Sequence, residues 1–187
     1  FLSKMPKKEF LNSLYENESL YVFGETHTSR FKKELNSNSY LPNHWIYQKM
    51  KDQKNGNYLE VGPGSCALLK TFKKKGWKCQ GYEISKWIKS DDVVHDIEKI
   101  NKHNHEILVF HDVLEHVADP LSFLKEFTKF QNKGDKLFLA YPNASSFKAK
   151  IFKTNWAMVA PLAHLNFFSI KSTKILLEEC GYHPLII

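Results

Sequence analysis

The residues with the clearest chemical potential form a glycine turn at the end of an apolar run. Tyr58-Leu59-Glu60-Val61 is typical of a strand, and Gly62-Pro63-Gly64 follows it directly. Glycines allow a tight turn and let a ligand approach the backbone. The helix expected from Cys66 onward would add unpaired N–H groups at the same place. The pattern therefore predicts a cofactor site at this strand end.

Two interpretations of the turn are open. Gly62, Gly64 and Ala67 satisfy the dinucleotide pattern G-x-G-x-x-G/A, and Glu83 follows Gly62 by 21 residues, where an acid that binds ribose is expected. Glu60 argues against a dinucleotide, because its negative charge would oppose a pyrophosphate. A ligand that carries an amino group and a sulfonium would instead be attracted to it. The plain alternative for Glu60 is a surface acid on an edge strand.

The elements that must position these residues are short apolar runs that alternate with helical patterns. Strands are predicted at residues 58–61, 78–84, 93–97, 106–111, 136–141 and 183–187. Helices are predicted at residues 9–15, 44–51 and 66–75, after the cap Asp119, and after the cap Ser169. This alternation predicts an α/β fold, a doubly wound, Rossmann-like, mainly parallel sheet with helices on both faces. Ligands of such sheets lie beyond the carboxyl ends of the strands.

The composition excludes several classes of protein. The chain has 187 residues, 42% of them apolar and 25% charged, with a formal net charge of +7. These proportions exclude wholesale disorder and collagen-like repetition. No run approaches the ~20 apolar residues of a membrane span, and the first residues lack the apolar region of a signal peptide. The three cysteines form no CxxC pair, which argues against a disulfide framework or a structural zinc site and favours the cytoplasm.

Composition also changes near Asn57. Residues 1–56 are polar and irregular, and we expect them to form a cap or substrate lid. Residues 57–187 are expected to form the cofactor-binding core.

Eleven consecutive residues, Phe110 to Pro120, carry the most specific pattern, FHDVLEHVADP. They resemble the VLEHV-x-D-P segment of class I S-adenosylmethionine (SAM)-dependent methyltransferases, in the ubiquinone-methyltransferase-like branch of the methyltransferase domain family 23 type. Residues 60–64 resemble the E-x-G-x-G motif of these enzymes, although the third glycine of the fuller pattern falls at Cys66. Residues 141–143 and 164–182 resemble the Pro-Asn step and the H-x-x-F-S ending of the branch. The resemblance covers about residues 57–187.

The resemblance implies SAM as the cofactor and S-adenosylhomocysteine (SAH) as its product. Glu83 would accept from both ribose hydroxyls, Ile84 would lie against the adenine, and Asp96 would meet its edge, unless it is an ordinary loop acid. The full set of cofactor-binding residues that we expect is Glu60, Gly62, Pro63, Gly64, Glu83, Ile84, Asp96, Ile97, His111 and Asp112.

Methyl transfer from a sulfonium is an in-line displacement, so much of the catalysis comes from positioning. A base is needed when the acceptor is an alcohol or an amine. Of the polar residues near the strand ends, we expect His111 and His164 to be catalytic; the alternatives are a partly exposed strand-end histidine and a histidine hydrogen-bonded within a lid. The other candidates are Asp112, His116, Tyr141 and Asn143.

No metal is expected, because the Glu-His pair also occurs in members of the family without a known metal requirement; a divalent metal is the alternative hypothesis. Some ubiquinone O-methyltransferases that resemble this segment bind an ion through acid-x-x-Glu-His, which corresponds here to Asp112, Glu115 and His116. Such an ion would orient the acceptor and lower its pKa. In the expected case without a metal, Glu115 and His116 hold their loop to the neighbouring helix.

The sequence thus predicts a methyltransferase that uses SAM to methylate an oxygen, nitrogen or carbon of a small molecule or glycan precursor, with residues 147–161 as part of a lid. The alternatives are a non-catalytic cofactor- or RNA-binding module and an NAD-dependent oxidoreductase. We expect no membrane or nucleic-acid partner. The family sheet normally continues to a seventh strand, so we expect an uncovered edge beside the fifth strand, which a second copy of the chain could cover.

Overall fold

Five parallel strands form the central sheet, in the order β5-β4-β3-β6-β7. The structure is a computed structural model that describes residues 6–7, 9–11, 13, 21–22, 25–26, 40–86, 88–102, 104–160 and 163–185. The strands of the sheet are β3 (Asn57–Val61), β4 (Lys78–Tyr82), β5 (Val93–Val94), β6 (Ile107–His111) and β7 (Lys136–Ala140). A separate antiparallel pair consists of β1 (Tyr21–Val22) and β2 (Glu25–Thr26).

Helices connect the strands and begin at recognisable caps. They are α1 (Trp45–Met50), α2 (Ala67–Lys74), α3 (Pro120–Thr128), α4 (Phe147–Phe152) and α5 (Ile170–Glu179). The Asp119 side chain accepts from the Ser122 N–H at 3.0 Å, and Pro120 occupies the first turn of α3. Ser169 and Ser172 form a capping box at the start of α5. Three short 3-10 turns span Ile97–Lys99, Leu114–His116 and Lys153–Asn155.

Successive side chains of a strand point to opposite faces of the sheet, so the buried strands present apolar side chains on both faces. Helices cover both of these faces. Tyr58 belongs to the core on the side of α1 and α2, whereas Leu59 and Val61 belong to the core on the side of α3 and α5. Strand β6 carries the run Ile-Leu-Val-Phe, whose four side chains are all buried, as expected of a central parallel strand. The predicted doubly wound α/β fold is therefore confirmed.

Several element boundaries differ from the sequence prediction. The second strand ends at Tyr82 rather than residue 84. The Glu83 N–H still donates to the Val94 carbonyl, but the Glu83 carbonyl accepts from the His95 ring instead of from a neighbouring strand. The third strand has only two residues, since the Asp96 side chain accepts from the Glu98 N–H and starts a 3-10 turn.

At the two chain ends the comparison is partial. Residues 183–185 are not in a strand, and the rest of the predicted sixth strand lies outside the described residues. Residues 9–11 and 13 are helical as predicted, and residues 14–15 also lie outside the described part. None of the helices among the described residues combines the length and the apolar character that crossing a bilayer requires.

Candidate functional site

The glycine turn joins β3 to β4 through backbone bonds. Gly62 has φ +67° and Gly64 has φ +48°, so both lie in the left-handed region that favours glycine. The Gly62 N–H donates to the Tyr82 carbonyl at 2.8 Å. The Gly64 N–H donates to the Glu83 carboxylate, which also accepts from the Ser85 N–H at 3.0 Å. The two strand ends therefore form one rigid unit around Glu83.

A second constraint on the turn comes from the loop after β6. A Cβ at Gly62 would lie 2.7 Å from Cγ2 of Val113, closer than real Cβ contacts come. Gly62 is thus required both for its conformation and for the close approach of Val113.

Glu60 is buried and bonds to the start of the helix that follows the turn. The side chain is 4% exposed, and Oε2 accepts from the Tyr58 hydroxyl at 2.9 Å. The carboxyl group also accepts from the Leu69 N–H in the first turn of α2. Since the N-cap residue of this helix, Cys66, makes no side-chain cap bond, Glu60 supplies the missing acceptor. Burial raises the pKa of Glu60 to about 8. Its contact with a cofactor amino group stays a prediction.

The other expected cofactor residues lie along the ends of β4 and β5. Glu83 and Ile84 are half-buried, and burial raises the pKa of Glu83 although the Ser85 and Gly64 bonds oppose that shift. Asp96 is exposed and caps the 3-10 turn, which is what an ordinary loop acid would also do. Ile97 packs against the core on the α3 side.

The end of β6 carries a cluster that includes one residue missed by the sequence prediction. His111 and Asp112 lie side by side, with 3.9 Å between His111 Nε2 and Asp112 Oδ2. The His44 ring meets the His111 ring edge to face, with 5.1 Å between centroids. Burial lowers the pKa of His44, and the neighbouring His111 adds to that effect. No sequence motif marks His44; the only signal is its position before the amphipathic helix α1.

Asp112 itself has an unusual backbone. Its φ of +55° is rare for a residue other than glycine, and its N–H donates to the Ala140 carbonyl at 3.0 Å. This conformation turns the chain sharply after β6 and ties the turn to the end of β7.

A second cluster lies deeper, and it differs from the predicted metal set. Ligand atoms of Glu115, His116 and His164 all lie within 4.8 Å of one another, and Asp112 is not part of this group. His116 Nδ1 lies 2.7 Å from the Ala163 carbonyl, and His164 Nδ1 lies 2.6 Å from the Met158 carbonyl. Because a carbonyl only accepts, each Nδ1 carries the proton in the neutral ring and each Nε2 carries the lone pair.

Glu115 is the least satisfied polar group of the cluster. The residue is 1% exposed, and neither carboxyl oxygen has a hydrogen-bond partner in another described residue. Burial raises its pKa to about 8, and its own backbone N–H offsets this only in part. A buried carboxyl group without partners is costly and calls for an explanation.

The backbone at this cluster has a clear structural role. The Glu115 carbonyl accepts from the Leu165 and Asn166 N–H groups at 2.7 and 3.0 Å, and the Asn166 side chain donates to the Val117 carbonyl at 2.6 Å. The loop is therefore held to the segment that precedes α5. The prediction without a metal had placed it against the neighbouring helix instead.

Two other candidates are engaged in local structure. The Tyr141 ring meets Phe168 at 5.3 Å between centroids, and Asn143 Oδ1 accepts from the Ser145 N–H at 2.8 Å. Both therefore shape the connection between β7 and α4.

Comparison with known proteins identifies the family. The model of the family described as "Methyltransferase domain" matches residues 28–185, more than four fifths of the chain. This chain belongs to the methyltransferase-domain family. The predicted class, a class I SAM-dependent methyltransferase, is confirmed, and assignment to the ubiquinone-methyltransferase-like branch stays a prediction.

Solved methyltransferases share the fold at low sequence identity. A SAM-dependent methyltransferase from Thermotoga maritima, described as a possible histamine N-methyltransferase, is 18% identical over 94% of this chain and 80% of its own, with a TM-score of 0.56. The plantazolicin methyltransferase BpumL, solved with a monoazolic desmethylPZN analog and SAH, is 15% identical over 92% of this chain and 68% of its own, with a TM-score of 0.54. No protein of curated function matches the sequence closely enough to count as a relative.

Proposed function

We propose that this methyltransferase moves the methyl group of SAM to an oxygen, nitrogen or carbon atom of a small molecule or glycan precursor. The observation that carries the proposal is the unit formed by the glycine turn and Glu83. The carboxylate of Glu83 is held by Ser85 and by the Gly64 N–H, and it retains acceptor capacity for ribose hydroxyls, since a carboxylate offers about four acceptor sites. The residues present thus suit an adenosine-containing cofactor.

The proposed acceptor side is the end of β6. His111 lies there beside Asp112, and His44 supplies a second imidazole from the segment that we expect to form the cap. The Trp45 ring meets Phe138 in the middle of β7 at 5.9 Å between centroids, which packs the start of α1 against that strand. SAM supplies an electrophilic methyl group when bound. His111 would take the proton of an alcohol or amine acceptor, while Asp112 would stabilise the imidazolium.

Cofactor binding is tested by isothermal titration with SAM, SAH and NAD. We expect micromolar binding of SAM and SAH, and a loss of about 100-fold in affinity for Glu83→Gln because two ribose hydrogen bonds to a charged acceptor weaken. Glu98→Gln is the matched control, since Glu98 is an exposed acid outside the proposed site. Binding of NAD without either sulfur cofactor, or full affinity in Glu83→Gln, would contradict the proposal.

The acceptor is tested by screening pools of phenols, amines, sugars and nucleotide-linked sugars for release of SAH. With an oxygen or nitrogen acceptor, His111→Gln should lower kcat by about 100-fold or more while SAM affinity changes little. His164→Gln is compared in parallel, because the sequence predicted both histidines as catalytic. Equal kcat values for wild type and His111→Gln would remove His111 from the reaction.

We also propose that Glu115, His116 and His164 hold a divalent cation. The carbonyl bonds at Nδ1 of both histidines match the pattern in which a ligating histidine donates its other N–H to a carbonyl. The Glu115 carboxyl group has no hydrogen-bond partner among the described residues, and a bound cation would offset the cost of its burial. A cation would orient the acceptor and increase its acidity. Dialysis against EDTA should lower turnover at least tenfold, with recovery on addition of Mg²⁺, Mn²⁺ or Zn²⁺. Full activity in EDTA would rule the cation out without affecting the cofactor assignment.

A further inference from the structure

Helix α4 presents its apolar side chains to solvent. Phe147 is 77% exposed, Ile151 54% and Phe152 53%, and no residue of the helix is buried. A six-residue helix is marginal in water without tertiary packing. Three large apolar side chains gathered on such a helix mark an interaction surface.

The charge around this helix has one sign. From Lys136 to Leu177 the sequence has six lysines and no acidic residue, so this stretch carries +6 of the chain's +7 formal charge. Lys148, Lys150 and Lys153 lie on α4 or directly after it and are exposed. In the part of the chain that the structure describes, none of these three ammonium groups has an ion-pair partner. An anionic partner would therefore complement the surface.

The combination of charges and apolar groups distinguishes between partners. A second copy of the chain, placed by two-fold symmetry, would bring the three lysines close to their own copies. A bilayer that contains anionic lipids accepts both groups, because phenyl and aliphatic side chains enter the acyl boundary while lysines extend to the headgroups. We propose that α4, with Phe147, Ile151 and Phe152 as its anchors, docks on an anionic membrane surface.

The location of α4 determines how the docked molecule would be oriented on the membrane. The helix begins seven residues after β7 ends at Ala140, so it lies on the connection that leaves the carboxyl ends of the strands. A docked molecule would turn the candidate site toward the bilayer, where an acceptor borne by a lipid could reach it. The expectation of no membrane partner rested on the lack of a spanning segment, and a surface contact needs none.

The test is co-sedimentation of the full chain with vesicles, without SAM or acceptor, so that it is independent of the proposed function. Vesicles of phosphatidylcholine and phosphatidylglycerol at 3:1 should bind the wild type, and vesicles of phosphatidylcholine alone should not. Lys148→Gln/Lys150→Gln/Lys153→Gln should lower partitioning about 100-fold, since each lysine near an anionic surface contributes about fivefold. Phe147→Ser/Ile151→Ser should lower it at least tenfold.

Two controls separate docking from general charge attraction. Lys49→Gln/Lys51→Gln/Lys54→Gln removes the same charge from another exposed segment, and Ile175→Ser removes an exposed apolar side chain of α5. Both should keep the wild-type partitioning. Equal losses in the two lysine triples, or no binding to the anionic vesicles, would overturn the proposal. It would also be overturned if sedimentation velocity showed a dimer that Phe147→Ser/Ile151→Ser dissociates.

Discussion

Glu60 and Glu115 are buried carboxyl groups near the carboxyl ends of the two central strands, and burial raises the pKa of each to about 8. Their surroundings differ. Glu60 accepts from the Tyr58 hydroxyl and from the first turn of α2. Glu115 has no hydrogen-bond partner in another described residue, and its Oε1 lies 4.0 Å from His116 Nε2.

This difference separates a group whose partners lie within the fold from one that the proposed cation would satisfy. A partnered carboxyl group offsets the cost of its burial within the protein, whereas an unpartnered one leaves that cost to be offset by something that binds. Burial and a shifted pKa alone would not distinguish the two. The hydrogen-bond partners do.

Among the substitutions, the largest expected loss of stability comes from one added methyl group in the turn that follows Glu60. Gly62→Ala should lower the free energy of unfolding by about 3 kcal/mol, from the left-handed φ of a residue with a Cβ and from the contact with Val113. Urea denaturation measures this change. The double variant with Val113→Ala should recover the part that is due to the contact. If Gly62→Ala were as stable as wild type, the inferred close packing of the glycine turn against Val113 would be wrong.

The pH dependence of stability tests both carboxyl groups. Each pKa is raised from 4.5 to about 8 on folding, so the folded state holds a proton that the unfolded state releases. The resulting stability is complete below about pH 4.5 and is lost as the pH rises toward 8, by about 4 kcal/mol for each group. Glu60→Gln and Glu115→Gln should each flatten part of the decline measured by urea denaturation at pH 5, 6.5 and 8. A wild-type curve that rises over this range would contradict the shifts.

A divalent cation should distinguish the two glutamates. With 1 mM MnCl₂ at pH 7.5, we expect the midpoint of thermal unfolding of the wild type to rise by about 5 °C, because a ligand that binds only the folded state stabilises it. Glu115→Gln should abolish the rise, and Glu60→Gln should keep it. A rise that survives in Glu115→Gln would place the cation elsewhere.

The smallest effect concerns the turn between the two clusters. Asp112→Gly should raise the free energy of unfolding by about 0.5 kcal/mol, since glycine adopts φ near +55° without strain. Asp96→Gly is the control, because Asp96 has an extended φ of −131° and caps a 3-10 turn. That variant should lose about 1 kcal/mol. A destabilised Asp112→Gly would show that the Asp112 side chain contributes more to the fold than its backbone costs.

The sequence predicted well what depends on local pattern. The order of strands and helices, the caps at Asp119 and Ser169 and the glycine turn all follow from residues that are neighbours in the chain.

What the sequence did not predict depends on contacts between distant residues. His164 joins Glu115 and His116 because backbone bonds hold residues 163–166 against the loop after β6, and His44 reaches His111 from the segment before the sheet. Neither pairing leaves a spacing signal. The partners of Glu60, which are Tyr58 and the start of α2, are likewise visible only once the strand direction is fixed, and its role as a ligand for the cofactor stays a prediction.

The strand order has a consequence for how the molecule acquires its site. Strands β3 and β4 follow each other closely, but β3 also pairs with β6, where Tyr58 lies opposite Ile107. Closing so long a loop is slow compared with local pairing. During synthesis the glycine turn can therefore form well before Val113 arrives to pack on it. The glycine turn and the loop after β6 become neighbours only when β6 has left the ribosome. Folding of the site is therefore completed late, although its first half is synthesised early.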